Sequence, residues 1–322
     1  MNLISRPVHR SLSGSLRLPG DKSISHRAAI LGAMASGTTT IDGFLCADDT
    51  LATLSAMASL GAEVERDGER VSIIGRRLHA PRMDLDLGNS GTGLRLITGA
   101  LCGHPDLYGQ RLRLVGDASL SARPMGRIIL PLSRMGARID SHGDCAPLML
   151  EPVPLTGAVH TLEIASAQVK SALLLAGIQA DGTTTVLEPG TSRDHTERML
   201  PAFGVAVQRQ PDTATLEGPA SLSSCHITVP GDLSSAAFPL AAALLVPGSS
   251  IELCSIGLNP SRDGLLNILK SMLPSDGFRI RPSEVAASHE PMGDLLVTRS
   301  QPLEGTDIPA EMVSLAIDEF PI

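Results

Sequence analysis

Residues 60–64 read Leu-Gly-Ala-Glu-Val, and they stand between a helix-like apolar run and a stretch of alternating polar and apolar residues. The same pattern returns as MGARI at 135–139, FGVAV at 203–207 and DGFRI at 276–280, and the successive glycines lie 75, 68 and 73 residues apart. A glycine just after a helix adopts the left-handed conformation that ends it, and the alternation that follows is typical of a strand. The spacing therefore predicts four repeats of one structural unit.

Two further patterns recur along the chain. Gly-Thr or Gly-Ser runs lead into short strands at 37–41, 182–186 and 248–251. Ser- and Ala-rich helices begin near Ser25, Ser90, Ser166 and Ser234. Together with the glycine stops, these patterns predict the order strand, helix, strand, helix, strand, strand in each repeat. The expected fold class is therefore α/β (α+β), built from repeated βαβαββ units.

A fifth repeat is expected to begin near Asp318, and the sequence ends shortly afterwards at Ile322. An isolated half-unit has no neighbour against which it can bury its apolar face. We therefore expect this chain to lack the C-terminal part of a longer protein.

Composition argues against several classes of protein. The 322 residues are 43% hydrophobic, enough for two domains, while the net charge of −8 and the absence of tryptophan argue against a nucleic-acid-binding protein. No apolar run is long enough for a membrane span, and the first ten residues lack the apolar segment of a signal peptide. The five cysteines form no Cys-x-x-Cys pair, so we expect free thiols and a cytoplasmic location. His195 and His226 lack partners at metal-ligand spacing, so no metal is predicted.

The segment 19–27 places a lysine, an arginine, a histidine and two serines in a glycine-marked turn that opens a helix. A helix start offers unpaired N–H groups and a partial positive charge. Lys22 and Arg27 add two full charges. This turn therefore predicts a binding site for a phosphate or a carboxylate.

Two more loops have the composition of an anion site. The glycine-rich turn at 87–95 lets the backbone approach an anion closely, and Asn89 can donate a hydrogen bond there, although a plain helix-capping turn looks the same. In the segment 116–125, Pro124 fits the first turn of a helix, which places Arg123 at the helix start. Arg123 is therefore either a solvated surface charge or an anion ligand.

Polar residues also crowd the helix start at 165–171, just before a very apolar run. A serine cap explains Ser166, but capping does not explain Gln168 and Lys170 together. This segment is therefore a fourth candidate for binding a charged ligand.

Three later segments are less specific. The charged turn 191–198 contains Arg193, its best candidate for binding an anion, and about half of the turn is expected to form surface ion pairs. The similar turn at 259–264 is expected to be a capped turn with a structural role. Asp318 and Glu319 stand in an apolar segment, where a carboxylate can have a raised pKa and act as a general acid or base.

Three motifs together resemble the enolpyruvyl transferase family, and within it the 5-enolpyruvylshikimate-3-phosphate (EPSP) synthases. They are LPGDKSISHR at 18–27, GDASLSARPMGR at 116–127 and ASAQVKSALLLAG at 165–177. The resemblance implies a two-domain inside-out barrel, with three βαβαββ units around buried helices in each domain. It implies a complete domain at 18–229 and a second domain, C-terminally incomplete here, formed by 1–17 and 230–322.

The resemblance also implies a reaction and the residues for it. The family transfers the carboxyvinyl group of phosphoenolpyruvate to the 5-hydroxyl of shikimate 3-phosphate and releases phosphate, as a cytoplasmic monomer of the shikimate pathway that uses no cofactor. The expected ligands of shikimate 3-phosphate are Lys22, Ser23, Arg27, Ser166, Ala167, Gln168, Arg193 and Asp318. The expected ligands of phosphoenolpyruvate are Lys22, Asn89, Gly91, Arg123 and Gln168. The expected catalytic residues are Lys22 and Asp318, and Asp318 would accept the hydroxyl proton.

The chain departs from the family's pattern after Asp318. A Lys-Glu motif, later arginines for phosphoenolpyruvate and a terminal lysine would follow there, so we expect weak turnover or none from this chain alone. A non-catalytic phosphate-binding fragment is therefore one alternative. The other is the sister enzyme that acts on UDP-N-acetylglucosamine, which Ser23 after Lys22 disfavours, because that enzyme has Lys-Asn and a catalytic cysteine loop. Alanine at the position of Gly91 gives some relatives tolerance to the inhibitor glyphosate, so we expect sensitivity in the parent protein.

Overall fold

The computed structural model describes residues 10–273, 277–283, 290–299 and 301–322. These residues form two compact units. The large unit spans 22–229 and contains three four-stranded sheets, whereas the small unit contains 10–21 and the described residues from 230 onward, with one four-stranded sheet. None of the described helices is long and apolar enough to cross a membrane.

The predicted order of elements is confirmed in all four repeats. The first contains β1 (Ser13–Arg17), α1 (Lys22–Met34), β2 (Gly37–Asp42), α2 (Asp48–Ser59), β3 (Glu63–Asp67) and β4 (Arg70–Gly75). The second contains β5 (Leu85–Asp86), α3 (Gly91–Leu101), β6 (Leu112–Val115), the helix pair α4 (Ala118–Ser121) and α5 (Gly126–Arg134), β7 (Arg138–His142) and β8 (Cys145–Glu151). The third contains β9 (Val159–Thr161), α6 (Ala167–Gly177), β10 (Gly182–Leu187), α7 (His195–Met199), β11 (Gln208–Gln210) and β12 (Thr213–Gly218). The fourth contains β13 (His226–Thr228), α8 (Leu233–Leu245), β14 (Ser250–Gly257), α9 (Gly264–Met272), β15 (Phe278–Pro282) and β16 (Met292–Thr298), and α10 (Ala310–Leu315) follows it.

The glycine stops behave as predicted in three of the four repeats. Gly61, Gly136 and Gly204 follow a helix with φ of +115°, +100° and +87°, a conformation that favours glycine over residues with a Cβ. Gly277 does not adopt a positive φ. The fourth stretch begins at residue 276, and residues 274–276 lie outside the described part of the chain.

Strand pairing does not follow the repeats strictly. The sheets β5-β6-β8-β7 and β11-β12-β10-β9 each come from a single repeat. The first and fourth repeats instead exchange their first strands, because β13 pairs in parallel with β2 and β1 pairs in parallel with β14. The spacing of the repeats carries no sign of this exchange, since each strand has the same position in its own repeat.

Three helices form the interior of the large unit. α1, α3 and α6 are buried along most of their length and pack on one another. α3 and α6 approach so closely that a Cβ on Gly99 would lie 2.2 Å from the carbonyl oxygen of Ala172. These helices confirm the expected α/β class with helices inside, and all three begin at the polar motifs quoted above.

The small unit packs its helices on a single sheet. Leu240 on α8, Leu253 on β14 and Leu295 on β16 are fully buried in its apolar core. A helix was predicted to begin near Asp318, but α10 ends at Leu315 and the residues 317–321 form turns. The part of the chain that is described therefore holds four repeats and one short further helix.

Candidate active site

The first candidate segment opens α1, as predicted. Lys22 is the first residue of the helix, is about half exposed, and forms an ion pair with Asp49. Arg27 is only 2% exposed, and its guanidinium donates to the hydroxyls of Thr196 and Ser171 at 2.7 and 2.6 Å and to the carbonyl of Ser23 at 2.8 Å. The buried Arg27 therefore ties the start of α1 to α6 and α7.

The glycine-rich turn before α3 is both a cap and a polar site. The Ser90 hydroxyl accepts a hydrogen bond from the Gly93 N–H, which caps the helix. The Asn89 side chain donates to Asp117 at 2.8 Å and accepts from Arg123. The structure therefore brings Asn89 and Arg123 together from the two loops that the sequence singled out.

One helix boundary differs from its prediction. Pro124 was predicted to lie in the first turn of a helix with Arg123 at its start, but α5 begins at Gly126. The N–H of Met125 donates to the carbonyl of Asp144 at 2.6 Å, so this residue stays outside the helix as its cap. Arg123 consequently lies in the turn between α4 and α5.

Arg95 was missed as a site residue and is central to this region. One of its Nη atoms donates to the side-chain oxygen of Gln168 at 2.8 Å, and the other hydrogen bonds of its guanidinium go to backbone carbonyls. Burial lowers the pKa of Arg95, and the neighbouring charges of Arg123 and Arg127 lower it further. The signal was present in the sequence, since Arg95 ends the quoted glycine-rich turn and lies one turn inside a helix.

Arg95, Arg123 and Arg127 form what we call the arginine cluster. Among the described residues, no carboxylate lies within ion-pairing distance of any of the three guanidinium groups. Gly91 faces the cluster, because a Cβ there would lie 2.9 Å from Nη1 of Arg123 and 3.1 Å from Nη1 of Arg95. The arrangement leaves concentrated positive charge beside a glycine, which suits a small anion.

Gln168 connects the starts of two helices. Its side-chain oxygen accepts from Arg95 on α3, and its amide nitrogen donates to the hydroxyl of Thr92 at 2.8 Å. Asn89, Gly91, Arg123 and Gln168 were predicted separately from three segments, and they lie around Arg95 in the large unit. The common link through Arg95 does not follow from the sequence pattern.

The start of α6 contains a buried ionic group that we call the lysine triad: Lys170, Glu188 and Glu197. The Lys170 Nζ lies 2.5 Å from Glu188 and 2.9 Å from Glu197. Burial lowers the pKa of Lys170, but the two carboxylates raise it by more, so it lies above its usual value. The two buried carboxylates therefore account for the position of Lys170 at the start of α6 without a bound ligand.

Glu197 has the opposite balance. Burial raises its pKa, and the charge of Lys170 offsets only part of that effect. Its Oε2 atom is buried without a hydrogen-bond partner among the described residues. One lysine therefore serves two buried carboxylates, and the second is poorly compensated.

Of the predicted ligands, Ser166 contacts this triad directly, and Ala167 and Arg193 are the chain neighbours of Ser166 and Ser192, which both bond Glu188. Ser166 caps α6, and its backbone N–H donates to Glu188 at 2.9 Å. In the turn 191–198, Asp194 pairs with the mostly buried Arg198 and with the exposed Arg209, so only the second pair reaches the surface as expected. A cavity of about 420 Å³ lies beside this turn and is lined by Lys170, Ser192 and Glu197 among others.

Asp318 belongs to the small unit and is exposed in a turn. Its neighbour Glu319 is 4% exposed and accepts from the hydroxyl of Ser234. Arg262 lies 3.8 Å from Glu319 and also contacts Asp21 and Asp232. The turn at 259–264 is stabilised by internal hydrogen bonds, as expected, since Ser261 donates to Asn259. Arg262 in this turn is also the centre of a buried group of ion pairs, which was not predicted from the sequence.

Among the described residues, no group of three or more His, Cys, Asp or Glu side chains is arranged to hold a metal ion.

Comparison with known proteins agrees with this geometry. The family of EPSP synthase (3-phosphoshikimate 1-carboxyvinyltransferase) matches residues 8–322. The 3-phosphoshikimate 1-carboxyvinyltransferases of Brevibacillus brevis and Geobacter sulfurreducens are each 46% identical to this chain; the matches cover 97% and 100% of it and 73% and 74% of the relatives. EPSP synthase from Acinetobacter baumannii has the same fold, with a TM-score of 0.89 and 42% identity over 98% of this chain and 71% of that one. Since sequence and fold agree over nearly its whole length, the chain belongs to the EPSP synthase family.

Proposed function

We propose that this chain acts in the transfer of the carboxyvinyl group of phosphoenolpyruvate to the 5-hydroxyl of shikimate 3-phosphate, with release of phosphate. The observation that carries the proposal is the arginine cluster, in which three guanidinium groups lie together and form no ion pair among the described residues. Both substrates carry several negative charges, and a site for them needs positive charge that the protein does not itself neutralise. The relatives from Brevibacillus brevis and Geobacter sulfurreducens are named for this reaction.

Shikimate 3-phosphate would bind along the starts of α1 and α6 and in the turn 191–198. The proposed ligands are Lys22, Ser23, Arg27, Ser166, Ala167, Gln168, Arg193 and Asp318. The hydrogen bonds from Arg27 to Ser171 and Thr196 support this assignment, because they hold α1, α6 and α7 together around one positive charge. A rigid set of donors loses less conformational entropy when a phosphate binds.

Phosphoenolpyruvate would bind at the arginine cluster. The proposed ligands are Lys22, Asn89, Gly91, Arg123 and Gln168, to which we add Arg95. The absence of a Cβ on Gly91 leaves the space in front of Arg95 and Arg123 open. Guanidinium groups suit this substrate because their paired N–H groups match the oxygens of a carboxylate or phosphate.

The proposed chemistry needs a base and a set of cations. Asp318 would accept the proton of the 5-hydroxyl while the oxygen attacks C2 of phosphoenolpyruvate and a general acid protonates C3. The tetrahedral intermediate would then lose one proton from C3 to the conjugate base of that acid as the bond from C2 to the phosphate oxygen breaks, which restores the C=C bond and releases phosphate. Lys22 and the arginine cluster would stabilise the negative charge that collects on the departing phosphate.

Three further properties complete the proposal. The domain limits would be 18–229 and 1–17 plus 230–322, and the two compact units support a division of this kind. We also propose a cytoplasmic monomer. Sedimentation velocity measures the last property directly, and a dimer at micromolar concentration would contradict it.

Calorimetric titration of the chain with shikimate 3-phosphate tests the proposal. We expect binding, and we expect Arg193→Gln to weaken it at least about tenfold, because a hydrogen bond to a charged group contributes about 1.5–3 kcal/mol. Arg209→Gln is the matched control, since Arg209 pairs with Asp194 in the same region and is not a proposed ligand. UDP-N-acetylglucosamine is expected not to bind.

A phosphate-release assay with both substrates then tests the reaction itself. Release that needs both phosphoenolpyruvate and shikimate 3-phosphate supports transfer. Absence of binding by shikimate 3-phosphate, or equal loss in Arg193→Gln and Arg209→Gln, would overturn the proposed site.

A further inference from the structure

Glu188 joins three separate segments of the large unit. It follows β10 directly and is 8% exposed. Its Oε1 atom accepts from the Ser166 N–H at 2.9 Å and from the Ser192 hydroxyl at 2.7 Å. Its Oε2 atom accepts from the same hydroxyl at 2.8 Å and lies 2.5 Å from the Lys170 Nζ. One carboxylate therefore holds the cap of α6, the side chain of Lys170 and the turn after β10.

The segments that Glu188 joins are those of the proposed phosphate ligands. Ser166 and Ala167 begin α6, and Arg193 directly follows Ser192 in the turn. Lys170 extends the connection, because its Nζ also lies 2.9 Å from Glu197 on α7. The proposed ligands Ser166, Ala167 and Arg193 thus come from two segments that one buried carboxylate connects directly.

We infer that Glu188 is a positioning residue for shikimate 3-phosphate, which fixes Ser166 and the turn of Arg193 at the spacing that a phosphate requires. The inference rests on the proposed function. Glu188 itself would not touch the substrate, because its two oxygens are occupied by Ser166, Ser192 and Lys170. Its effect on binding would pass entirely through the groups that it holds.

A carboxylate suits this role for a chemical reason. An ionised glutamate only accepts hydrogen bonds and has about four acceptor positions, whereas a glutamine has one acceptor oxygen and an NH₂ group that donates. In Glu188→Gln, the NH₂ group would therefore face Lys170 or Ser166, which are both donors. Either orientation breaks one of the connections while the size of the side chain stays the same.

The test compares four proteins by calorimetric titration with shikimate 3-phosphate. We expect Glu188→Gln to weaken binding about tenfold and Ser192→Ala about two- to threefold, since the second change removes only a neutral hydroxyl. Val71→Ala is the control for simple destabilisation, because Val71 is fully buried on β4 and has no link to these segments. It should lower the melting temperature and leave the affinity within about twofold of the unsubstituted chain.

Amide hydrogen exchange gives a readout that needs no ligand. In Glu188→Gln, we expect faster exchange at Ser166 and in the turn 191–194, and unchanged exchange at the start of α3. Equal exchange and equal affinity in Glu188→Gln and the unsubstituted chain would overturn this inference alone. No binding by the unsubstituted chain would instead overturn the proposed function, and with it the role of Glu188 in binding.

Discussion

The starts of α3 and α6 carry the same sign of charge in opposite surroundings. Arg95, one turn inside α3, meets neutral oxygens and two further arginines, and its pKa is lowered. Lys170, one turn inside α6, meets two buried glutamates, and its pKa is raised. At Arg95 the fold therefore leaves a cation that forms no ion pair among the described residues. Elsewhere the same kind of residue holds the protein together.

The largest expected effect comes from removing the cation of the lysine triad. Lys170→Met would leave Glu188 and Glu197 buried without a counter-charge, so the free energy of unfolding should fall by about 3–5 kcal/mol. Urea denaturation measures this change. Arg76→Met is the matched control, because Arg76 pairs with Glu63 at the exposed surface of the same unit and should change stability little. Equal losses of unfolding free energy in Lys170→Met and Arg76→Met would show that the lysine triad stabilises the fold no more than a surface ion pair does.

Removing a cation from the arginine cluster should instead weaken substrate binding and leave the free energy of unfolding nearly unchanged. Arg95→Gln should leave stability nearly unchanged, since it relieves repulsion with Arg123 and Arg127, and should weaken phosphoenolpyruvate binding about 10- to 100-fold. Calorimetric titration of phosphoenolpyruvate into the chain saturated with shikimate 3-phosphate measures this affinity. The exposed Arg134→Gln on α5 serves as the control. Unchanged affinity for phosphoenolpyruvate in Arg95→Gln would show that the charge of Arg95 does not contribute to substrate binding.

A smaller effect is expected at the glycine that faces the cluster. In Gly91→Ala, the new methyl would press on the guanidinium groups of Arg95 and Arg123, and we expect phosphoenolpyruvate affinity to fall about three- to tenfold. Affinity for glyphosate, a longer molecule, should fall further, as competition titrations would show. Gly190→Ala is the control, because a Cβ there meets no atom within 4 Å. Equal losses for both ligands would mean that Gly91 does not set the length of the site.

The smallest expected effect is a pH dependence of the unfolding free energy, which arises from Glu197 in the lysine triad. Burial raises the pKa of Glu197, so the folded chain holds its proton to a higher pH than the unfolded chain does. The contribution of Glu197 to stability therefore falls as the pH rises above the ordinary range of a glutamate. Unfolding free energies at pH 5 and pH 8 should differ less in Glu197→Gln than in the unsubstituted chain. The same pH dependence in both proteins would contradict the raised pKa.

The fold could be predicted from the sequence as far as its patterns are local. The glycine stops and the alternation after them predicted the βαβαββ order, since helix ends and strand faces depend on neighbouring residues. The exchange of β1 and β13 could not be predicted from these patterns, because β1 would fit beside β2 as well as beside β14. Which of two equivalent edges a strand joins depends on the packing of distant segments.

The candidate site was predictable residue by residue but not as a set of partners. Lys22, Asn89 and Arg123 were visible because a glycine turn or a helix start surrounds each of them. Arg95 and Glu188 were missed because a single arginine in a helix, or a glutamate after a strand, has many ordinary explanations. Their importance comes from groups about 70 and 20 residues away, the Gln168 side chain for Arg95 and the Ser166 backbone N–H for Glu188.

The exchange of first strands also determines when β1 can pair during synthesis of the chain. The N–H of Leu12, just before β1, donates to Ser249, which lies 237 residues later in the chain. A ribosome that adds about 5–20 residues per second would therefore leave β1 without its partner for roughly 12–50 s. The large unit can close sooner, once β13 has emerged to pair with β2. β1 is thus made well before the strand that it pairs with, and for that interval its edges are open to pairing with other chains.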